Sequence, residues 1–216
     1  MECTQIKAVI FDMDGVLLDS ETVSWKTWEI AAQEYGLKDI KIANSKCMGT
    51  NKTDTYAILH SIYGKDFPAE QFLARTSELF YEIEKESGIS LMPYAKESLE
   101  YLSKKYTIAL ASSTRKEAVF RQMKNTGLFD FFKTITTGDM VIHSKPAPEI
   151  YLLALNSINV TAKEAVAIED SPNGIKSAYN AGLRTIMIPD KIQPDDEIKN
   201  KAWKIIPSLK EISKIL

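Results

Sequence analysis

The 216-residue chain is poor in cysteine and histidine, with two of each. Cys3 and Cys47 are far apart and match no disulfide framework or thiolate metal site, so the stapled secreted scaffolds are excluded and a reducing, cytoplasmic compartment is expected. His60 and His143 are read as structural or surface groups. The net charge is only −2 and no long basic run occurs, which leaves no electrostatic case for nucleic acid or a membrane surface. The Lys-rich tail is interleaved with Asp and Glu and reads as solvated surface. No segment approaches the length of a transmembrane helix. The apolar run near the N-terminus is broken by Asp12 and Asp14, so it is no signal-peptide core. Internal repeats and low-complexity stretches are also absent. What remains is an ordinary globular composition, 44% hydrophobic and 26% charged, long enough for one large domain or for a domain plus a smaller one.

The most informative stretch is Lys7–Ser20. Ala8-Val9-Ile10-Phe11 is a short apolar run of the kind that makes a buried strand, and it stops at Asp12-Met13-Asp14-Gly15. Taken alone, Asp-x-Asp-Gly is as well read as an ordinary turn or helix cap. It is not a calcium loop, because the twelfth position from Asp12 is Val23 where Glu is needed. If it is a site, two carboxylates at the end of a buried strand need a cation, and Gly15 lets the backbone turn so that both face one spot. In open α/β sheets that spot, beyond the carboxyl ends of the strands, is where ligands bind.

The rest of the chain supplies the context. Residues 20–87 read as helix throughout: 20–35 with Trp25, Trp28, Ala32 and Tyr35 on one face, a break around 44–51, then 52–63 and 69–85. Trp25, Trp28, Phe72, Leu79, Phe80 and Ile83 are taken as core of this segment. From Met92 onward, strands predicted at 106–111, 133–137, 165–168, 184–188 and 203–206 alternate with helices at 95–105, 115–125, 146–156 and 172–181, closed by a helix capped at Ser208. Strands alternating with helices imply a parallel sheet covered on both faces.

Later strand ends carry polar groups in the same manner. One strand ends on Ser112-Ser113-Thr114 and another on Glu169-Asp170, each just before a helix. Hydroxyls and backbone N–H groups near a helix N-terminus make an anion site, and converging carboxylates make an oxygen-only cation site suited to magnesium. Side by side, the two describe phosphoryl chemistry. Lys145, kept out of helical conformation by Pro146, supplies a positive charge. Singly, Ser112, Ser113 and Asp170 each read as helix caps and Lys145 as a surface lysine.

In this order, Asp12-Met13-Asp14-Gly15, Ser112, Lys145-Pro146 and Glu169-Asp170-Ser171-Pro172-Asn173-Gly174 resemble the motifs of the haloacid dehalogenase-like hydrolase superfamily, and the β-phosphoglucomutase-like phosphatases within it. The resemblance covers essentially the whole chain. It implies a Rossmann-like α/β core of residues 1–17 and 89–216 with an inserted four-helix cap at 18–88, hinged near 18–20 and 87–93. It implies Asp12 as nucleophile forming an aspartyl-phosphate, Asp14 as general acid and base, and Lys145 as a catalytic and phosphate-binding cation. It further implies Ser112 and Ser113 as phosphate ligands. Mg2+ would be held by Asp12, Asp14 (through its main-chain carbonyl), Asp170 and, closely or through water, Glu169. Asp14 argues against the dehalogenating branch, which lacks this second aspartate.

The cap positions aligned with substrate contacts are Ser24, Met48, Gly49 and Lys52. Sugar phosphomutases of this type carry His at the first, a Lys-Gly pair at the next two and Arg at the last. Ser24 cannot act as a proton-responsive imidazole, and Lys52 lacks the bidentate fork of Arg. The expectation is therefore a monomeric magnesium-dependent phosphatase of small phosphorylated metabolites. Sugar phosphates come first and nucleoside monophosphates second. A sugar phosphomutase is the alternative, and a receiver-like phospho-switch or binding module the reading outside the class.

Overall fold

A computed structural model describes residues 5–47 and 52–216, so Cys3, Met48 and Gly49 lie outside the described residues. By contact, the chain divides into two compact units, Met1–Asp19 with Ser90–Leu216, and Ser20–Ile89.

The first unit is built on a sheet of β1 (Ala8–Phe11), β2 (Thr107–Ser112), β3 (Thr134–Thr137), β4 (Ala165–Glu169), β5 (Arg184–Met187) and β6 (Lys204–Ile205). Their order is β3-β2-β1-β4-β5-β6, and every neighbouring pair is parallel. This is the parallel sheet expected from the alternating pattern, and the Rossmann-like core that the resemblance implies. All four residues of β1 are fully buried, as a central parallel strand covered on both faces requires. Alanines at Ala8, Ala109, Ala111, Ala165 and Ala167 leave room on one face for Ile150, Tyr151 and Ala154, which pack there in one core cluster. The chain moves outward from β1 through β2 to β3, then returns to β4 on the other side of β1. The β1/β4 boundary is therefore the switch point where an open α/β sheet binds its ligands.

The helices of this unit are labelled below in chain order with those of the second. In the second unit, α1 (Ser20–Glu34), α2 (Ile40–Cys47), α3 (Lys52–Tyr63) and α4 (Ala69–Ser87) close around Trp28, Ala31, Leu59 and Phe72. Phe72 takes edge-on contacts from Trp28 (5.3 Å) and Tyr35 (5.5 Å). In the first unit follow α5 (Ala95–Leu102), α6 (Lys116–Asn125), α7 (Glu149–Ile158), α8 (Pro172–Asn180) and α9 (Asp196–Lys201). The two passages of chain at the border of the first unit are tied together: Asp19 N–H donates to Ser90 O and Met92 N–H to Leu17 O, both at 2.9 Å.

Three local expectations are corrected. The predicted break begins too early, because α2 runs through Cys47; Ala43 and Cys47, one turn apart, are both buried in the helical core. The helix predicted from Pro146 starts at Glu149, since two prolines hold 145–148 in a turn closed by Ala147 N–H to Ser144 O. The last segment, Leu209–Lys214, is 3-10 rather than α-helical, while the capping role of Ser208 holds. The sequence pattern also gave no α9, a short helix capped by the Asp195 carboxylate.

Candidate active site

Register explains the convergence of the strand ends. Phe11 is level with Leu110 of β2 and with Ile168 of β4. One residue further, Asp12, Ala111 and Glu169 therefore come to the same edge of the sheet. Gly15 turns the chain there at φ +75°, and its bare Cα is required, because a Cβ would fall 2.4 Å from Asp170 Oδ2.

Lys145 joins this cluster. Its Nζ donates to Asp12 Oδ1 at 2.5 Å, to Glu169 Oε1 at 2.6 Å and to the Ala111 carbonyl at 3.0 Å. All three charged side chains are buried: 8% exposed for Lys145, 10% for Asp12 and 1% for Glu169. Burial pushes the Asp12 carboxyl well above the usual carboxylate range; Lys145 opposes this while Glu169 and Asp14 reinforce it. Burial works to lower the Lys145 pKa, but the Asp12 and Glu169 carboxylates outweigh it and hold the ammonium charged above its ordinary value.

Asp12, Glu169 and Asp170 each offer a carboxylate oxygen, and these oxygens lie within 4.8 Å of one another. An oxygen-only set of acids around one lysine carries more negative than positive charge in a buried place. That is the donor chemistry of a hard divalent cation, and the residues fit one. The Asp14 side chain does not join this group among the described residues.

Asp14 instead faces the turn that follows β2. Its Oδ2 accepts from Thr114 Oγ1 at 2.8 Å and lies 3.5 Å from Ser112 Oγ, while the Thr114 N–H donates to Ser112 Oγ at 3.1 Å. Ser112 is fully buried and Ser113 exposed at the head of this turn. The structure thus brings Asp12, Asp14, Ser112, Lys145, Glu169 and Asp170 to one sheet edge.

Sequence reasoning missed two hydroxyls. Thr114 was passed over as the tail of a strand end, although it is the third hydroxyl of a Ser-Ser-Thr run. Tyr151 reads as one more apolar position of α7, yet its fully buried hydroxyl donates to Glu169 Oε1 at 2.6 Å and its ring lies 5.1 Å from Lys145 Nζ. No local signal distinguishes it. The histidines are engaged elsewhere: His60 Nε2 bonds to Phe67 O at 3.0 Å, and the His143 ring pairs with Glu149, whose carboxylate also accepts the Ile142 and His143 N–H groups. In the helical unit, Ser24 and Lys52 line one cavity of about 480 Å³, with Glu21, Asn44, Thr55 and Glu70. Lys52 Nζ stands 3.8 Å from Glu70 there.

The chain is similar to known proteins along most of its length. A family model described as "Haloacid dehalogenase-like hydrolase" matches residues 9–188. The phosphorylated carbohydrates phosphatase of Thermotoga maritima is 34% identical over 186 residues, 84% of each chain. A Drosophila melanogaster protein named as a pseudouridine-5'-phosphatase is 30% identical, over 93% of this chain and 88% of its own. Among solved structures, a mutant CbbY from Rhodobacter sphaeroides in complex with xylulose-(1,5)bisphosphate superposes with a TM-score of 0.79 at 27% identity, covering 96% of each chain.

Proposed function

The chain belongs to the haloacid dehalogenase-like hydrolases, and from that premise we propose a magnesium-dependent phosphatase of small phosphorylated metabolites that works through an aspartyl-phosphate. The observation that carries the reading is the Lys145 ammonium shared between Asp12 and Glu169 at the switch point. It holds the Asp12 carboxylate in place beside a hydroxyl-bearing turn.

Asp12 attacks phosphorus, forming a P–O bond as the bond to the leaving oxygen breaks. Splitting one displacement into two easier ones is the use of a covalent nucleophile. Asp14 gives its proton to the departing oxygen and then takes one from the water that attacks the phosphoenzyme. Lys145 offsets the charge on Asp12 and on the phosphoryl oxygens, which Ser112 and the Ser113 N–H hold. In phosphoryl transfer such positioning and charge neutralisation is most of the work. Asp12 and Asp170, with the Asp14 carbonyl and Glu169 close by, would hold magnesium, which when bound neutralises charge on the transferring group.

Phosphorylated carbohydrates are the proposed substrate class, supported by the name of the Thermotoga maritima relative and by the sugar bisphosphate bound to the Rhodobacter sphaeroides CbbY; the name of the insect relative keeps nucleoside phosphates as the second choice. The helical unit is proposed as the cap, with Ser24 and Lys52 as its leaving-group residues.

The test is phosphate release from a panel of sugar phosphates and nucleoside monophosphates, with magnesium or EDTA, beside Asp12→Asn. Release that needs magnesium and falls to background in the variant is expected. β-Glucose 1-phosphate converted to glucose 6-phosphate without release, in the presence of the bisphosphate, would replace hydrolysis by mutase chemistry. A folded wild type inert on every compound would sink the reading.

A further inference from the structure

The hydroxyl of Thr114 has no part in the chemistry above, yet it makes a well-formed contact with the side chain proposed as general acid. Thr114 Oγ1 lies 2.8 Å from Asp14 Oδ2, a stronger bond than the 3.5 Å approach of Ser112 Oγ to the same oxygen. The position of Thr114 is itself fixed. Its carbonyl accepts from Gly138 N–H at 3.0 Å. A Cβ on Gly138 would fall 2.0 Å from the carbonyl oxygen of Ser113, so the turn after β2 is pressed against the end of β3. The Asp139 carboxylate beside it accepts from the Lys116 N–H at 3.0 Å and the Thr137 hydroxyl at 2.7 Å, pinning the next residues of the loop as well.

We propose that Thr114 is a positioning residue for Asp14: by donating to Oδ2 it orients the carboxyl group for delivery of its proton to the leaving oxygen. The inference rests on the reading of Asp14 as general acid. In the first step the P–O bond to the leaving group breaks with its electron pair on that oxygen. The proton of the Asp14 carboxyl moves onto it, Asp12 gains the new P–O bond, and Asp14 is left as carboxylate.

Demand for the proton depends on the leaving group, and this separates positioning from plain structure or phosphate binding. An alkoxide needs protonation as it leaves, whereas p-nitrophenolate departs readily as the anion. kcat/KM covers the steps up to loss of the leaving group, so it isolates this event from hydrolysis of the phosphoenzyme. Thr114→Val and Thr114→Ser are compared with wild type on an alkyl phosphate from the panel and on p-nitrophenyl phosphate.

General acid catalysis is typically worth about 10²–10⁴-fold, and loss of its orientation in Thr114→Val is expected to remove about tenfold of kcat/KM on the alkyl phosphate. The loss on p-nitrophenyl phosphate should stay within about threefold, because little of that acid catalysis is used there. Thr114→Ser keeps the hydroxyl and should keep the rate. Adding Thr114→Val to Asp14→Asn should cost nothing more on either substrate, since the residue acts through Asp14. Equal losses on both substrates would show a structural or phosphate-binding role and overturn the proposal, as would no loss on either. Additive losses in the double variant would do the same. A wild type inert on both substrates overturns the phosphatase reading, and the proposal with it.

Discussion

The carboxylate of Glu169 lies so close over Gly174 that a Cβ there would fall 1.9 Å from Oε2 and 2.1 Å from Oε1. Gly174 sits in the first turn of α8, where its N–H also donates to Ser171 Oγ at 3.1 Å. Glu169 cannot swing aside cheaply, because Oε1 already takes the hydrogens of Lys145 and Tyr151. Gly174→Ala must therefore displace the carboxylate or push the helix away. Overpacking of this kind costs about 1–3 kcal/mol, read by urea unfolding, and the displaced acid should lower phosphate release by at least about tenfold. Unchanged stability and activity would mean that Glu169 does not hold this position.

Lys145 is the cation among buried acids, and its loss should be felt in stability as well as rate. Lys145→Ala strands Asp12 and Glu169 side by side. Breaking a buried pair in this way costs about 3–5 kcal/mol. Measured in EDTA, part of that loss should return when Glu169→Gln is added, while phosphate release stays at background. A double variant no more stable than the single would count against charge burial as the cause.

Glu164 offers a pH-dependent test far from the catalytic edge. The Lys7 ammonium, 2.5 Å from Oε1, and the Thr161 hydroxyl and N–H, 2.6 and 3.1 Å from Oε2, hold its carboxyl down to about 2. A depressed carboxyl stabilises the fold above its unfolded value of about 4.5, and that contribution is lost as pH falls toward 2. Wild type should therefore melt above Glu164→Gln at pH 6, with the gap closing as pH falls through 4.5 toward 2. A gap that does not change with pH would place the effect outside this carboxyl.

Legibility was uneven, and unevenly for a reason. The strand β1 and its terminal acids could be read because an apolar run of β-branched and aromatic residues that stops on Asp12 is a local signal. The Thr161–Glu164 capping box is a local signal of the same kind, carried by residues three positions apart. Helix α2 was curtailed in the reading because Ala43 and Cys47 are weak apolar markers whose burial comes from neighbours distant in sequence. Tyr151 was not singled out, and by burial it is core; its one polar atom matters only because α7 lies where Glu169 ends a strand.

The sequence by itself determined that this chain folds as an α/β protein with an all-helical insert, and that acids, hydroxyls and a lysine stand at the ends of strands and the starts of helices. Those are short-range properties: apolar period, proline and glycine placement, and polar residues next to apolar runs. The tertiary structure alone decided which of these groups touch. Parallel register brought Asp12 level with Glu169, a turn pressed onto β3 brought Thr114 closer to Asp14 than Ser112 comes, and helix packing aimed Tyr151 at Glu169. A hydrogen bond depends on tenths of an ångström between residues far apart in the chain. Only the packed sheet, with its spacing of strands and close approach of backbone to backbone, fixes distances on that scale.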